Sequence, residues 1–188
     1  MSSSDDEVSP EVEHFKSIPW CAAHLNQPGV AVAETFCRLP PSVNSNVYFG
    51  QTLNTKDTIS NFITFYTEPE NSDNPITELA SFITLGSLVN TFPEVCHGGV
   101  VMAILDEVMG LLPLVNMMRG VYHGPPQVTA WFNTKFIKHV KTPSTILVTA
   151  RYQKAEGRKH LIEGRIEDER GVVRASAEGL FIDLKEKL

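Results

Sequence analysis

The feature that most constrains the fold is the stretch over residues 96–110, CHGGVVMAILDEVMG. Two glycines follow a histidine, and an apolar helix-forming segment then begins, whose only charges before Arg119 are Asp106 and Glu107. Its apolar side chains cover nearly the whole helical wheel, and such a helix is normally buried in a core. The two acids and Pro113 make the segment too short and too interrupted to span a membrane. We expect Pro113 to end or kink the helix, because proline lacks the N–H and clashes with the preceding turn.

Two carboxylates in the middle of a core helix need an explanation, because an isolated buried charge either finds partners or takes up a proton. Asp106 and Glu107 are adjacent and point about 100° apart, so only one of them can face a given cleft. One interpretation is an acid that reaches solvent or a basic partner at an interface. The other is a catalytic carboxylate with a raised pKa.

Gly98 and Gly99 stand where the helix begins. Glycine lets the backbone approach a ligand closely, and the first N–H groups of a helix have no partner within it. Such a terminus stabilises negative charge and would suit the oxyanion that forms when a carbonyl is attacked. The alternative is a glycine turn that only starts the helix.

The spacing of these groups has a consequence for assembly. His97 and Asp106 are nine residues apart, which is about 13 Å along a helix. An acid and donors this far apart cannot act on one carbonyl, so Asp106 of one chain must work with Gly98 and Gly99 of another if both serve catalysis. The spacing therefore predicts a homodimer, or a tetramer built as a dimer of dimers, with active sites at a two-fold interface.

The segments around this helix carry the alternating and turn patterns of antiparallel strands. We predict strands over residues 59–66, 76–89, 128–140, 145–153, 159–168 and 172–184, with the helix between the second and the third. Two short N-terminal helices begin near Pro10 and Pro19, and residues 116–127 are expected to form a loop. One buried helix wrapped by an antiparallel sheet is an α+β architecture.

Composition narrows the classes of function and location. The 188 residues carry a formal net charge of −6, which argues against a general nucleic-acid-binding protein. The three cysteines form no Cys/His ligand pattern, so no metal site is expected, and a reducing compartment fits them best. The acidic residues 1–8 indicate a disordered tail and are unlike a secretory signal or an Arg-rich presequence, so the cytoplasm is the expected location.

Taken together, these residues resemble a known family, the hotdog-fold acyl-CoA thioesterases. The matching features are His97-Gly98-Gly99, the acid at Asp106, Val128-Thr129 at the next strand and a closing strand at 175–181. The chain is similar to the phenylacetate-pathway and thioesterase-superfamily type. Residues 19–21, Pro-Trp-Cys, and the helices around them resemble a fungal-like branch with an N-terminal extension.

The resemblance implies a hotdog fold, in which an antiparallel sheet of five to six strands wraps around one long buried helix and N-terminal helices are added. It divides the chain into the tail (1–8), a helical extension (9–45) and a hotdog thioesterase domain (46–188). The implied activity is hydrolysis of acyl-CoA thioesters in fatty acid metabolism. Coenzyme A is then part of the substrate, and no further cofactor is expected.

The resemblance also assigns roles to the residues of the central run. Asp106 matches the catalytic acid, acting as general base on water or as nucleophile, and Glu107 is the alternative acid. Gly98, together with Gly99, matches the oxyanion donor. His97 matches the histidine that orients the site, unless it is only a structural hydrogen-bonding group at the helix start.

Four further residues are candidate site residues. Thr129 falls where members carry a Ser or Thr that positions the water, unless it is an ordinary strand residue. Asn90 is the candidate for an Asn or Gln that members carry shortly before the histidine, near the thioester. Residues 135–174 hold ten of the 16 basic residues, and Arg158 and Lys154 among them are expected near the phosphates of coenzyme A.

Two other functions stay open at this point. Hotdog hydratases and dehydratases resemble a different pattern, with the histidine in a His-Phe-Pro-type loop, which is absent around His97. A non-catalytic acyl-CoA- or lipid-binding protein would keep the fold without needing Asp106. The acyl pocket is expected to be shaped by the apolar residues Leu114, Val115, Met117 and Met118, and the methionines favour a broad or medium-to-long range of chains.

Overall fold

A computed structural model describes residues 9–40 and 46–184. The predicted disordered tail (1–8) lies outside these ranges. The described residues form a seven-stranded antiparallel sheet that wraps around one long helix, and two short helices precede it. This confirms the predicted α+β architecture. The sheet has one strand more than the expected upper limit of six, because Val30–Ala33, in the segment predicted as a helical extension, pairs with Ile59–Thr67.

The described residues contain three α-helices and nine strands. The helices are α1 (Pro10–Lys16), α2 (Pro19–Leu25) and α3 (Gly98–Met118). The strands are β1 (Val30–Ala33), β2 (Ile59–Thr67), β3 (Glu78–Leu85), β4 (Asn90–Phe92), β5 (Val95–Cys96), β6 (Gln127–Phe136), β7 (Ser144–Glu156), β8 (Lys159–Glu167) and β9 (Val173–Asp183). The order in the sheet is β1-β2-β3-β7-β8-β9-β6, and β4 and β5 form a separate hairpin.

Both faces of the sheet are covered at β2 and β3. Phe62 and Ile83 belong to the main core around α3, whereas Ile63, Phe65 and Phe82 pack with α1 and α2. Successive residues of a strand point to opposite faces, so apolar runs in these strands serve both cores at once. The sheet is therefore held between α3 on one side and the N-terminal helices on the other.

The central helix passes through Pro113 and continues to Met118. Of the two predicted effects of Pro113, an end or a kink of the helix, the first is therefore wrong. A proline in a helix interior costs about 3 kcal/mol, because it removes one hydrogen bond and crowds the preceding turn. Leu112 and Val115 on either side are buried in the main core. Their burial offsets this cost and keeps the last turns helical.

The buried Asn116 fixes this last part of α3 to the start of β3. Its Oδ1 accepts a hydrogen bond from the N–H of Ile76 at 2.8 Å, and its Nδ2 donates to the carbonyls of Ile76 at 3.0 Å and Leu112 at 3.3 Å. All of these groups are buried, where an unpaired donor or acceptor would be costly, and the three hydrogen bonds give each of them a partner. The predicted loop over 116–127 accordingly begins only after Met118.

Length alone does not keep α3 out of a membrane. The helix has 21 residues and its most apolar window has a mean hydropathy of 1.8, which is long and apolar enough for a span. The prediction that this segment is too short to span a membrane is therefore wrong. Half of that window is buried inside the fold, and the helix packs against β3, β6, β7, β8 and β9.

The hairpin of β4 and β5 determines where α3 begins. Cys96 pairs with Asn90 across the hairpin. The N–H of Cys96 donates to the carbonyl of Val140 at 2.9 Å, and the N–H of His97 donates to the carbonyl of Val89 at 2.8 Å. These bonds anchor the residue before the helix to two other parts of the chain.

Two predicted strands are shorter than expected. Strand β3 ends at Leu85 rather than at residue 89, because Gly86 approaches another part of the backbone so closely that an added Cβ would lie 2.4 Å from the carbonyl of Asp57. Strand β6 ends at Phe136 rather than at residue 140. The predicted turns of β7–β8 and β8–β9 contain Gly157 and Gly171 with φ of 55° and 69°, a backbone conformation that favours glycine.

We expect Asn116→Ala to lower the free energy of unfolding by about 3 kcal/mol, because the buried N–H and carbonyl of Ile76 lose their partners. Chemical denaturation of the purified variant measures this change. Asn74→Ala, at an exposed asparagine, is the matched control and should change stability by less than about 0.5 kcal/mol. Equal stabilities of the two variants would show that Asn116 does not hold the end of α3.

Candidate active site

A carboxylate and a hydroxyl meet at the middle of α3. Thr129 Oγ1 on β6 donates a hydrogen bond to Asp106 Oδ1 at 2.7 Å. Both residues line a cavity of about 470 Å³, and Asp106 is half-buried at its wall. The hydrogen bond fixes the orientation of the carboxylate, and within the described part of the chain it is the only one that Asp106 accepts. The structure thus brings together two of the predicted site residues.

We call the whole cavity the α3–β6 cavity. Beyond Asp106 and Thr129 it lies between the second half of α3 and the start of β6. Its apolar lining residues are Leu111, Pro113, Leu114, Met117, Val128 and Phe181. Tyr122 and Gln127 add polar groups to the same wall. A largely apolar cavity with a carboxylate at one side is suited to an aliphatic chain whose polar end reaches Asp106.

Glu107 contacts a different environment. It touches the α3–β6 cavity but also lines a second cavity of about 440 Å³, together with Cys37 and residues 46–49. Burial raises the pKa of Glu107, its hydrogen bond with the Cys37 thiol opposes that rise, and the negative charge of Asp106 adds to it. The raised pKa that the sequence predicted for an acid in this helix is therefore found at Glu107.

The His-Gly-Gly segment forms the N-terminus of α3. His97 is the N-cap residue, and its Nδ1 accepts a hydrogen bond from the N–H of Gly99 at 2.9 Å. The imidazole therefore caps the helix, and the Gly99 N–H has a partner. The N–H of Gly98 makes no hydrogen bond to any residue that the structure describes. Gly98 is the better placed of the two glycines to donate to a ligand.

This N-terminus and the carboxylate are separated within one chain. Gly98 and Asp106 are eight positions apart on α3, about 12 Å along the axis. None of residues 97–99 lines the α3–β6 cavity. Gly98 instead lies at the far end of β6, where an added Cβ would be 3.4 Å from Phe136 Cζ. One protomer does not bring the predicted acid and the predicted oxyanion donor to a common point.

The other predicted substrate contacts lie outside the cavity wall. Asn90 is in the β4–β5 hairpin, and its Oδ1 accepts a hydrogen bond from the hydroxyl of Thr142, near the start of α3 rather than beside Asp106. Lys154 Nζ pairs with Glu156 at 2.6 Å on an exposed part of β7. Arg158 donates to the carbonyl of Asp183, at the end of β9.

None of the three cysteines lines the α3–β6 cavity. All three cysteines are free and buried, and burial raises the pKa of both Cys21 and Cys96 to about 12. Among the described residues no group of three or more His, Cys, Asp or Glu side chains is placed to hold a metal ion.

Sequence reasoning missed three residues that shape this site. The predicted loop over 116–127 contains all three, but Asn116 fixes the end of α3, and Tyr122 and Gln127 line the cavity. Tyr122 and Gln127 flank the Gly-Pro-Pro segment, where the sequence shows neither helical nor strand periodicity. Only the pairing of Gln127 with Asp183, at the end of β9, shows that β6 begins there.

Part of the chain matches a known family model. Residues 94–175 match the family model described as the thioesterase superfamily. The matched stretch contains α3, β6, β7 and β8, and with them Asp106, Thr129 and the glycines. A hypothetical thioesterase protein from Streptococcus pneumoniae, solved with coenzyme A, has a TM-score of 0.54 at 12% identity and covers 68% of this chain and 92% of its own.

A Streptococcus mutans protein solved bound to acetyl CoA has a TM-score of 0.52 at 14% identity, covering 61% of this chain and 86% of that chain. The fold is the hotdog fold. The seven-stranded sheet, the long central helix and the N-terminal helices thus confirm the predicted fold class. At these identities the two structures support the fold only.

Two curated relatives match shorter parts of the chain. Verlamelin biosynthesis protein B from a Lecanicillium species is 31% identical over 130 residues, which are 55% of this chain and 56% of the relative. A protein described as uncharacterized and mitochondrial from Candida albicans is 35% identical over 94 residues, 48% of this chain and 38% of the relative. The chain thus spans about half, or less, of the curated relatives that it matches.

Replacing the buried acid Glu107 should stabilise the protein in a pH-dependent way. Because its pKa is raised in the folded state, ionisation of Glu107 opposes folding once the pH exceeds the pKa of the unfolded chain, about 4.3. Glu107→Gln should therefore unfold at a higher temperature than the wild type at pH 8, and the difference should vanish below pH 4. Thermal unfolding across this pH range measures it, and a Glu107→Gln variant that is less stable than the wild type at pH 8 would contradict the assignment.

Proposed function

We propose that the protein hydrolyses acyl-CoA thioesters to the free acid and coenzyme A. The observation that carries this proposal is the 2.7 Å hydrogen bond from Thr129 to Asp106 at the wall of a largely apolar cavity. A carboxylate held in one orientation beside an acyl-binding cavity is the arrangement that a general base requires. The family match over residues 94–175 supports the same reaction.

Asp106 acts as the general base in this mechanism. It takes one proton from a water molecule whose oxygen attacks the thioester carbon, while Thr129 holds the carboxylate in place. The carbonyl oxygen becomes an oxyanion and receives a hydrogen bond from the N–H of Gly98, with His97 capping the helix. The C–S bond then breaks, and the sulfur of coenzyme A takes the proton from Asp106. Nucleophilic attack by Asp106 itself is the alternative route.

A dimer completes this site, and the exposed edge strand β6 is the surface that would form it. Strand β6 has ten residues and lies at the edge of the sheet. Val128, Trp131 and Phe136 on it are 41%, 43% and 57% exposed. An edge strand with exposed apolar side chains is a template for pairing with another chain.

The register of such a pairing would bring Asp106 and Thr129 of one chain towards the N-terminus of α3 of the other chain. A two-fold axis at the middle of β6 would set Gln127 opposite the partner's Phe136. Gly98 lies against Phe136 in each chain. The partner's Gly98 would then come within about two residues, or about 7 Å along the strand, of Thr129. The proposed assembly is a homodimer, or a tetramer that contains this dimer.

Arg158 and Lys154 are the proposed contacts for the phosphates of coenzyme A. Both lie near the turn between β7 and β8, on the exposed side of the sheet. Arg158 bonds to Asp183, which pairs with Gln127 in the cavity wall, so its guanidinium lies next to the start of β6. Asn90 is proposed to contact the thioester region through the partner, since it lies beside the N-terminus of α3.

The narrower assignments are also part of the proposal. We assign the chain to the phenylacetate-pathway and thioesterase-superfamily type, and its relatives from Lecanicillium and Candida support a fungal-like branch. The reaction uses water, a carboxylate and backbone N–H groups and needs no cofactor. The three free thiols favour the cytoplasm, with mitochondria as the alternative that the name of the Candida relative raises. Fatty acid metabolism is the corresponding process.

Purified protein should release coenzyme A from members of a panel of short, medium, long and aromatic acyl-CoAs, followed with a thiol-reactive dye. Asp106→Asn should lower kcat by at least about a hundredfold, because it removes the general base. Thr129→Val, which keeps the shape but loses the hydrogen bond, should lower kcat by about tenfold.

The control for both variants is Glu107→Gln, which should keep at least half of the activity because Thr129 orients Asp106 and not Glu107. Full activity of Asp106→Asn together with loss of activity in Glu107→Gln would show that Glu107, and not Asp106, is the general base. Binding of acyl-CoA without turnover on any substrate would instead favour a non-catalytic binding protein.

A further inference from the structure

One face of α3 lines the α3–β6 cavity from Asp106 towards the C-terminal end of the helix. Gly110, Leu114 and Met117 line the cavity together with Asp106. They follow Asp106 by four, eight and eleven positions, so all four residues lie within about 80° of one another around the helix axis. The cavity is therefore elongated along α3, with the proposed base at one end.

Tyr122 crosses the other end of this cavity. Its N–H donates to the carbonyl of Asn116 at 3.2 Å, near the C-terminus of α3, and its hydroxyl donates to Asp183 Oδ1 at 2.6 Å, at the end of β9. Tyr122 thus spans the gap between the helix and the sheet, and it is a lining residue of the cavity. Its ring closes the space into which an acyl chain would otherwise continue.

Contacts at both ends hold the Tyr122 side chain in place. Asp183 is 6% exposed, and His160 Nε2 lies 3.0 Å from the Oδ1 atom that accepts the tyrosine hydrogen bond. Burial and the hydrogen bond to Asp183 raise the pKa of Tyr122, so the hydroxyl keeps the proton that makes this bond. A Cβ added to Gly124 would lie 1.9 Å from the Tyr122 hydroxyl, so the loop packs directly against the tyrosine. The ring therefore forms a fixed wall.

The distance from Asp106 to this wall limits the length of the chain that fits. Asn116, which holds the backbone of Tyr122, is ten residues after Asp106, and ten residues are about 15 Å along the helix axis. A carbon atom in contact with the ring stays about 4 Å from it, which leaves about 11 Å for the chain. An extended chain advances by about 1.3 Å per C–C bond, so about nine bonds fit between a thioester carbonyl beside Asp106 and the ring of Tyr122.

We propose that Tyr122 is the end wall of the acyl-binding cavity and that the substrates are medium-chain acyl-CoAs with about ten carbons in the chain. This inference rests on the proposed hydrolysis of acyl-CoA and names the chain-length class of its substrate. Each methylene added up to this length leaves water and enters the apolar cavity, which favours binding. The end of a longer chain meets the ring and cannot be buried in the same way.

The test measures kcat/KM for straight-chain acyl-CoAs of increasing length. The value should be highest near decanoyl-CoA and lower by about tenfold or more for hexadecanoyl-CoA. Tyr122→Ala removes the ring and should raise the ratio of hexadecanoyl-CoA to decanoyl-CoA by about tenfold. Tyr122→Phe loses the bond to Asp183 but keeps the ring, and should keep the wild-type ratio. Tyr48→Ala, at a tyrosine that is 50% exposed outside this cavity, is the matched control and should also keep it.

A second variant tests the path of the chain along α3 without changing the loop. Gly110 is four residues after Asp106, about 6 Å along the helix axis. A Cβ added there makes only an ordinary contact, 3.8 Å from Phe181 Cε1, and glycine is a poor helix former, so Gly110→Leu should fold. Its side chain should fill the cavity beyond the first carbons and raise the ratio of kcat/KM for butanoyl-CoA to that for decanoyl-CoA by about tenfold or more.

The outcomes separate this proposal from the proposed function. Equal kcat/KM values for decanoyl-CoA and hexadecanoyl-CoA in the wild type, or an unchanged ratio in Tyr122→Ala, would overturn the role of Tyr122 and leave the thioesterase activity standing. An unchanged ratio in Gly110→Leu would overturn the path along α3. If no acyl-CoA is hydrolysed, affinities from calorimetry provide the same ratios, and only the proposed function fails. If Tyr122→Ala shows no cooperative thermal unfolding, Tyr122→Leu replaces it, since leucine keeps apolar contacts but is too short to reach β9.

Discussion

Burial of α3 against one face of the sheet is the interaction on which the rest of the structure depends. Ile104, Leu105, Val108 and Leu112 on this helix are essentially inaccessible to solvent. Burial of one large apolar side chain stabilises the folded state by roughly 1.5–3 kcal/mol. That gain explains why the helix continues through Pro113 and why the sheet curves around it. It also places any polar residue of the helix at a wall of the core, where a binding cavity can form.

Two adjacent acids in this helix have different surroundings. Asp106 faces the α3–β6 cavity and is oriented by Thr129, whereas Glu107 lies against Cys37 and is buried enough for its pKa to rise. The difference follows from the rotation of about 100° per residue along a helix. A pair of carboxylates with separate environments lets one serve as a base while the other stays a structural group.

The sequence predicted the core helix, the order of the main strands and the α+β architecture, because long apolar periods and turn glycines are strong local signals. It did not predict the path of α3 beyond Pro113, since the buried bonds of Asn116 to Ile76 join residues 40 positions apart. The β4–β5 hairpin was missed because strands of two and three residues have no period. The partners of Gln127 and Tyr122 depend on the register of β6 and β9, which no single segment determines.

The central claim is that Asp106 of one protomer works with the N-terminus of α3 of its partner. The variant Gly98→Pro removes the donor N–H and suits its position, because proline is tolerated at the first helical residue and His97 before it is extended, with ψ of 132°. Gly98→Ala keeps the N–H and is the control, expected to stay close to wild-type activity. Asp106→Asn and Gly98→Pro homodimers should both be nearly inactive.

The most direct measurement is the activity of a heterodimer that carries Asp106→Asn in one chain and Gly98→Pro in the other, purified through two different tags. A shared site predicts about half of the wild-type kcat, because one of the two sites then combines an intact Asp106 with an intact Gly98. If each site were built within one chain, both sites would carry a lesion. A heterodimer as inactive as the two parent homodimers would therefore contradict the account.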